Sequence, residues 1–448
     1  MARFPQKGAD STILLEYMKT LKKHDADWNK GRTWSLVYYA GEEITEFVEQ
    51  AYLLYFHENG LNPLAFPSLR TLENEVISMV TDLFHGDEAT RGSLTSGGSE
   101  SILMAVKTYR DLARYQHPEI EKPEMLIPIT AHPAFEKAAH YFNVTPIHIP
   151  LTEDYRADVK EARKLITPNT ILIVGSAPAY PHGIVDPINE LSDLALEKGV
   201  PLHVDACLGG FILPFVEKLG YSVPLFDFRV PGVTSISADV HKYGFASKGV
   251  STILYRNKDI RQFQYFAYDK WPGGLFASPT ALGTRPGGAI ASAWAVLKYL
   301  GLEGYVKNAE GIMKTTKALQ EGIAAIQGLY IIGKPEASVF AIGSNELDLS
   351  VISDRMTKKG WHMDLQQYPD SLHFMVTPAH EGIVEQFLKD LRDSVQETLK
   401  GAEEGSNQAA FYGLEGSLPE GVNVKDYLIY MLNELMTSQD TAEWEEKQ

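Results

Sequence analysis

The sequence predicts an α/β protein whose core is a mainly parallel sheet covered on both faces by helices. Two observations carry that expectation. From Arg70 to about Leu300, short apolar runs alternate with amphipathic helical stretches, the pattern of strands buried on both sides. The clearest unit runs from Thr170-Ile171-Leu172-Ile173-Val174, through the helical stretch Pro187 to Lys198, into Pro201-Leu202-His203-Val204-Asp205. Two short strands around one helix make a crossover between parallel neighbours, and it leaves Asp205 at the C-terminal end of a buried strand.

The other elements follow in order. Residues 1–70 hold two amphipathic patterns, Ser11 to Lys23 and Glu42 to Phe56, with loops carrying Trp34, Tyr38 and Tyr39. A segment of this kind packs on a larger domain or on a second subunit. Residues 71–300 read as the large domain. After the apolar helix around Ala291 to Leu300, residues 301–448 read as a smaller α+β domain, and Thr437 to Gln448 is polar and acidic enough to fray.

Composition narrows the function classes. The 448 residues are 44% hydrophobic and 22% charged, enough to bury a substantial core. There are 41 Lys and Arg against 58 Asp and Glu, a formal charge of −17. Such a surface repels nucleic acid and acidic membrane, so an anionic substrate needs a local basic pocket. The single cysteine, Cys207, cannot form an intrachain disulfide, and zinc-site spacings are absent, so no metal is expected. The N-terminal stretch shows neither a signal-peptide core nor a membrane span, and the expectation is a soluble, cytoplasmic protein.

Three motifs carry chemistry. Thr95-Ser96-Gly97-Gly98-Ser99-Glu100-Ser101 precedes a helical face of Ile102, Ala105, Val106, Tyr109, Leu112 and Ala113, with Ser99 as the expected N-cap. Glycines allow close backbone approach and a helix N-terminus favours negative charge, so the loop suits a phosphate. Alone, the motif is more often a glycine turn before a surface helix, since short Gly-rich patterns recur widely. In Ser235-Ile236-Ser237-Ala238-Asp239-Val240-His241-Lys242-Tyr243-Gly244 a strand ends at a His-Lys pair. A lysine desolvated there becomes nucleophilic enough to form an imine with an aldehyde cofactor, although His-Lys in a solvated loop is commonplace. Asp205, followed by the small residues Ala206, Gly209 and Gly210, fits an acid that keeps a pyridinium nitrogen protonated, or an Asp capping the next turn.

The order and spacing of phosphate loop, strand-end Asp and strand-end His-Lys make the set recognisable. The chain resembles the sphingosine-1-phosphate lyases, within the wider group of pyridoxal-dependent decarboxylases. The segments that carry the resemblance include Phe66-Pro67-Ser68-Leu69-Arg70, Thr95 to Met104, Pro201 to Phe211, Phe226 to Val230, Gly232 to Gly249, and Ala277 to Gly288. It implies fold type I, the aspartate-aminotransferase-like fold of pyridoxal-phosphate enzymes, with a mixed, mainly parallel seven-stranded sheet. It further implies Lys242 as the imine lysine, Asp205 on the ring nitrogen, and His132 of Ala131-His132-Pro133 stacked on the ring. Gly98, Ser99, Ser237 and His241 would hold the cofactor phosphate, and Tyr180 of Ala179-Tyr180-Pro181 would be a proton shuttle. By the same resemblance, Lys248 would grip the substrate phosphate, with hydroxyls from Tyr38 and Thr284 supplied across a subunit boundary and charge added by Arg285.

Two positions depart from the family pattern. Asn62 stands where a histidine is common, with His57 nearby as a compensating group, and Ser99 replaces a threonine. The implied reaction is retro-aldol cleavage of a phosphorylated long-chain base to a long-chain aldehyde and phosphoethanolamine, by a homodimer with its site at the interface. The rival readings are an amino-acid decarboxylase using the same cofactor site, and a non-catalytic binder of lipid phosphate. Eukaryotic members carry an N-terminal span that this chain lacks, so it resembles a soluble, bacterial-type form.

Overall fold

Seven strands form the central sheet in a computed structural model that describes residues 4–400 and 423–437. The strands are β1 Arg91–Thr95, β2 Glu124–Pro128, β3 Thr145–Ile149, β4 Thr170–Ser176, β5 Leu202–Asp205, β6 Val233–Ala238 and β7 Ser251–Tyr255, in the spatial order β1-β7-β6-β5-β4-β2-β3. The run from β6 to β3 is parallel, and only β7 is reversed, pairing antiparallel with both β6 and β1. Every residue of β4 and β5 is buried, which explains why those strands read as continuous apolar runs. The predicted crossover is present: helix Ile188–Lys198 joins β4 to its parallel neighbour β5 and closes on Gly199 at φ +67°.

A short antiparallel pair follows, β8 Phe266–Tyr268 with β9 Phe276–Ser278. The long helix Gly287–Ala324 then leads out of the large unit, with a break at Gly301, whose φ of +55° no regular helix contains. Beyond it, β10 Tyr330–Ile331, β11 Val339–Gly343, β12 Asp364–Gln366 and β13 Ser371–Met375 form a second, antiparallel sheet in the order β10-β11-β13-β12. Helices Leu349–Lys358 and Val384–Leu399 pack there through Ile352, Met356, Phe387 and Leu391. The expected fraying of Thr437 to Gln448 concerns residues 438–448, outside those described.

The N-terminal segment is divided between the two units. Helix Glu42–Leu54 lies along helix Gly287–Ala324, whereas residues 31–38 are sewn into the C-terminal unit. Thr33 bridges His362, the Met375 amide donates to Trp34 O at 2.8 Å, and His380 Nε2 donates to Thr33 O at 2.8 Å. Trp34 is fully buried, stacked on His380 and Trp361 and edge-on to Phe374 and Phe387.

Candidate active site

Parallel strands place their C-terminal ends side by side, and a crevice opens where neighbouring connections leave in opposite directions. Here the C-terminal ends of β4 and β5 carry Ser176 and Asp205, the turns just after β2 and β6 carry His132 and the His241-Lys242 pair, and all five side chains line one cleft of about 350 Å³. Tyr38, Tyr180, Cys207, Lys248 and Met375 complete its wall.

The turn after β6 builds the corner of the cleft. The Lys242 amide donates to Asp239 O at 3.2 Å, folding the lysine back so that its Nζ lies 3.1 Å from Asp239 Oδ2. Burial opposes both charges, yet their mutual attraction, helped by His241 Nε2 at 3.5 Å from the same oxygen, keeps the amine protonated and the carboxylate ionised. Asp239 lies within the same sequence motif, but only the fold-back of the turn brings its carboxylate to the lysine.

Asp205 accepts the Cys207 amide at 3.0 Å and the Ser237 hydroxyl at 3.2 Å, both on Oδ1. His132 Nδ1 accepts the Ala134 amide at 3.1 Å, so Nε2 carries the proton of the neutral ring. Desolvation holds its pKa below the ordinary value, with Asp205 acting in the other direction. Tyr180 stacks on His373 of β13, ring centroids 4.1 Å apart, and burial drives His373 down to about 3.

Lys248 is exposed as a residue while its amine turns into the cleft, 3.3 Å from His241 O and 5.0 Å from the centre of the Tyr38 ring. Desolvation, then the charge of Lys242, lowers its pKa to about 8. Tyr38 is held by its hydroxyl at 3.1 Å from Met375 Sδ. It reaches the cleft of its own chain, so the expectation that it crosses a subunit boundary is corrected.

Other expectations also change. The helix Gly98–Gln116 is capped by Gly97, and Ser99 sits in its first turn, because Glu100 Oε2 takes the Ser96 amide at 2.6 Å and secures the loop. Ser237 is fully buried behind Asp205 and does not line the cleft. Arg285 is buried, its guanidinium held by Glu73 at 2.5 and 3.0 Å and by Gly60 O at 3.0 Å, so its charge is already matched. Thr284 and Asn62 are exposed outside this cleft, Asn62 capping its own turn through the Leu64 and Ala65 amides, and His57 is exposed beside Phe56. Met375 and His373 went unnoticed in the sequence, since no local pattern announces that a strand of the second sheet forms the far wall.

The donor set suits pyridoxal phosphate. A Cβ on Gly98 would stand 2.7 Å from Asp239 Oδ2, so only glycine lets the phosphate loop approach the Lys242 corner, and Asp239 Oδ1 and Ser176 Oγ are buried without a partner. A strand-end lysine, an acid at the neighbouring strand end, a histidine face and a glycine loop at a helix N-terminus define a fold type I pyridoxal-phosphate enzyme.

Comparison with known proteins sharpens that class. The family model for the pyridoxal-dependent decarboxylase conserved domain matches residues 2–342. Sphingosine-1-phosphate lyase of Arabidopsis thaliana is 46% identical over 96% of this chain and 80% of its own, and that of Dictyostelium discoideum 43% over 97% and 82%. The solved structure of the Burkholderia pseudomallei sphingosine-1-phosphate lyase superposes with a TM-score of 0.90 at 37% identity, covering 98% of both chains. The chain belongs to the sphingosine-1-phosphate lyase family, within the pyridoxal-dependent decarboxylase group. Among the described residues no helix is long and apolar enough to cross a membrane.

Proposed function

We propose that this protein cleaves sphingosine 1-phosphate, or a closely related phosphorylated long-chain base, to a long-chain aldehyde and phosphoethanolamine. The observation that carries the reading is Lys248: a second amine, near Tyr38, in the cleft that already holds Lys242 and Asp205. A decarboxylase of free amino acids has no phosphate for that amine to grip.

Pyridoxal phosphate, when bound, supplies an electron sink for the carbon left after bond cleavage. Lys242 would hold its aldehyde carbon, Asp205 its ring nitrogen and His132 its ring face, with Gly98, Ser99 and His241 at its phosphate. Lys248 and the Tyr38 hydroxyl would bind the substrate phosphate and fix the amine end of the substrate beside Lys242. Tyr180 would relay the C3 hydroxyl proton, accepting it while passing its own phenolic proton on to the substrate phosphate or the Lys242 amine; the C2–C3 bond would break, and one proton delivered to C2 would balance the reaction. The charge on Asp239 would steady the ammonium form of Lys242 once the substrate amine has replaced it.

The working unit in this proposal is a homodimer of cytoplasmic location. Gly60 N donates to Arg285 O at 2.9 Å, so the segments bearing Asn62 and Thr284 run side by side, and beside them Phe56, Leu61 and Leu64 are exposed. That surface supports a role in which Asn62 and Thr284 reach the phosphate site of a second copy.

The test is to mix the holoenzyme with sphingosine 1-phosphate and measure long-chain aldehyde and phosphoethanolamine, with a panel of free amino acids assayed for carbon dioxide. Aldehyde is the expected product. Carbon dioxide without aldehyde would move the protein to the decarboxylases, and a colourless, inactive protein would make it a binder of lipid phosphate.

A further inference from the structure

A row of polar groups crosses the middle of an otherwise apolar sheet. His203 and Asp205 are two residues apart on β5, and Ser235 and Ser237 two apart on β6, so all four project from one face. The register pairs His203 with Ser235 and Asp205 with Ser237. Tyr109, on the helix that begins at the phosphate loop, completes the row from above. His203 and both serines are fully buried, and Tyr109 nearly so.

The links are all of hydrogen-bond length, and their polarity can be assigned from one end. Asp205 Oδ1 accepts, taking the Ser237 hydroxyl at 3.2 Å beside the Cys207 amide. The Ser237 oxygen is then free to accept from His203 Nε2 at 3.2 Å. Burial lowers the His203 pKa to about 4, so the ring is neutral, and with the proton on Nε2 its Nδ1 must accept from Ser235 Oγ at 2.8 Å. Tyr109 donates to Ser235 Oγ at 2.7 Å. Every donor in the chain points toward Asp205.

We propose that Ser237 and His203 are positioning residues of the cofactor site, and that with Ser235 and Tyr109 they form an oriented hydrogen-bond chain that commits Asp205 Oδ1 and leaves Oδ2 for the cofactor ring nitrogen. Burying a histidine and two serines in a strand core costs stability unless each is satisfied, and apolar residues of similar shape would fill the space at less cost. Aligned hydroxyl and imidazole dipoles, with their positive ends toward the carboxylate, favour a charged acid facing a protonated ring nitrogen. A carboxylate free to rotate would divide its time between the ring and the Cys207 amide. The inference rests on the pyridoxal-phosphate reading of the cleft.

The test uses full-length holoenzyme with an isotope-labelled cofactor ring nitrogen, read by NMR, together with cofactor affinity by equilibrium titration. Ser237→Ala and His203→Leu are each expected to weaken cofactor affinity about tenfold, as loss of one charge-supporting hydrogen bond does, and to move the nitrogen resonance toward the unprotonated position. His203→Gln, which can accept and donate in the same two directions, should restore most of both. Melting of the cofactor-free variants separates misfolding from loss of positioning, and Ser237→Ala, a change of one oxygen, serves if His203→Leu does not fold. A folded Ser237→Ala protein with unchanged resonance and affinity overturns the proposal. If the unsubstituted protein takes up no cofactor, the reading of the cleft falls instead.

Discussion

Lys242 and Lys248 are six residues apart in sequence and share one cleft, but their replacements should separate cleanly. Lys242→Ala abolishes turnover and the imine absorbance of the holoenzyme together; either persisting would remove Lys242 from its role. Lys248→Ala leaves that absorbance in place and raises KM for the phosphorylated substrate between about tenfold and a hundredfold, the range for a lost hydrogen bond to a charged group. The charge on Lys248 also sets a pH dependence. Its pKa is lowered to about 8, so the ammonium is present below that pH and fades above it. KM for the phosphorylated substrate should therefore climb as pH passes about 8 and stay flat in Lys248→Ala, which steady-state kinetics over a pH series would check. At this scale the sequence was most informative where chemistry is local. Asp205 and Lys242 each follow an apolar strand visible in the sequence, whereas His132 is assigned through the family resemblance alone. Ser237 shows the limit: a strand-end serine has two faces available, and only the pairing of β6 with β5 places its hydroxyl against Asp205.

Elements put these residues in place, and the phosphate loop is the one with least slack. Gly98→Ala would drive a methyl group to 2.7 Å from Asp239 Oδ2 and 3.0 Å from Cys207 Sγ, so the loop has to shift away from the Lys242 corner. Cofactor affinity should fall at least tenfold with little change in the melting of the cofactor-free protein, whereas a large drop in melting temperature would show the loop to be mainly structural. The β4–helix–β5 crossover was legible because two apolar runs flanked a helical period of the right length. The second sheet was foreseen only as a small α+β lobe. Its strands are short, β10 having two residues and β12 three, and so give almost no alternation to read. That is why His373 and Met375, which shape the wall beside Tyr180 and Tyr38, had no counterpart in the sequence reading.

Among the described residues, buried and half-buried polar contacts join the two units alongside the apolar core they share. Arg156, in the large unit, pairs with Glu336 in the stretch before β11, and Glu336 Oε2 also accepts the Val185 amide at 2.9 Å. Tyr243, next to Lys242, donates to Val376 O at 2.9 Å and accepts from Ser338 Oγ at 2.8 Å. Glu336→Gln should lower unfolding free energy by about 2 kcal/mol, since a hydrogen-bonded charge loses its partner, and denaturant melting would register it. An unchanged midpoint would mean that the units are joined mainly by apolar packing. Trp34→Ala should cost more, about 3–5 kcal/mol, as removal of a fully buried tryptophan generally does.

The sewing of residues 31–38 into the second sheet also has a consequence for how the protein is made. Tyr38 meets Met375 across 337 residues of chain. A ribosome adding about 5–20 residues per second needs on the order of tens of seconds to deliver the later partner after the earlier one has emerged. Throughout that interval Trp34 has no stack to enter and the mouth of the cleft has no Tyr38. The nascent chain can form its parallel sheet, but it acquires a complete substrate pocket only when its two ends have met.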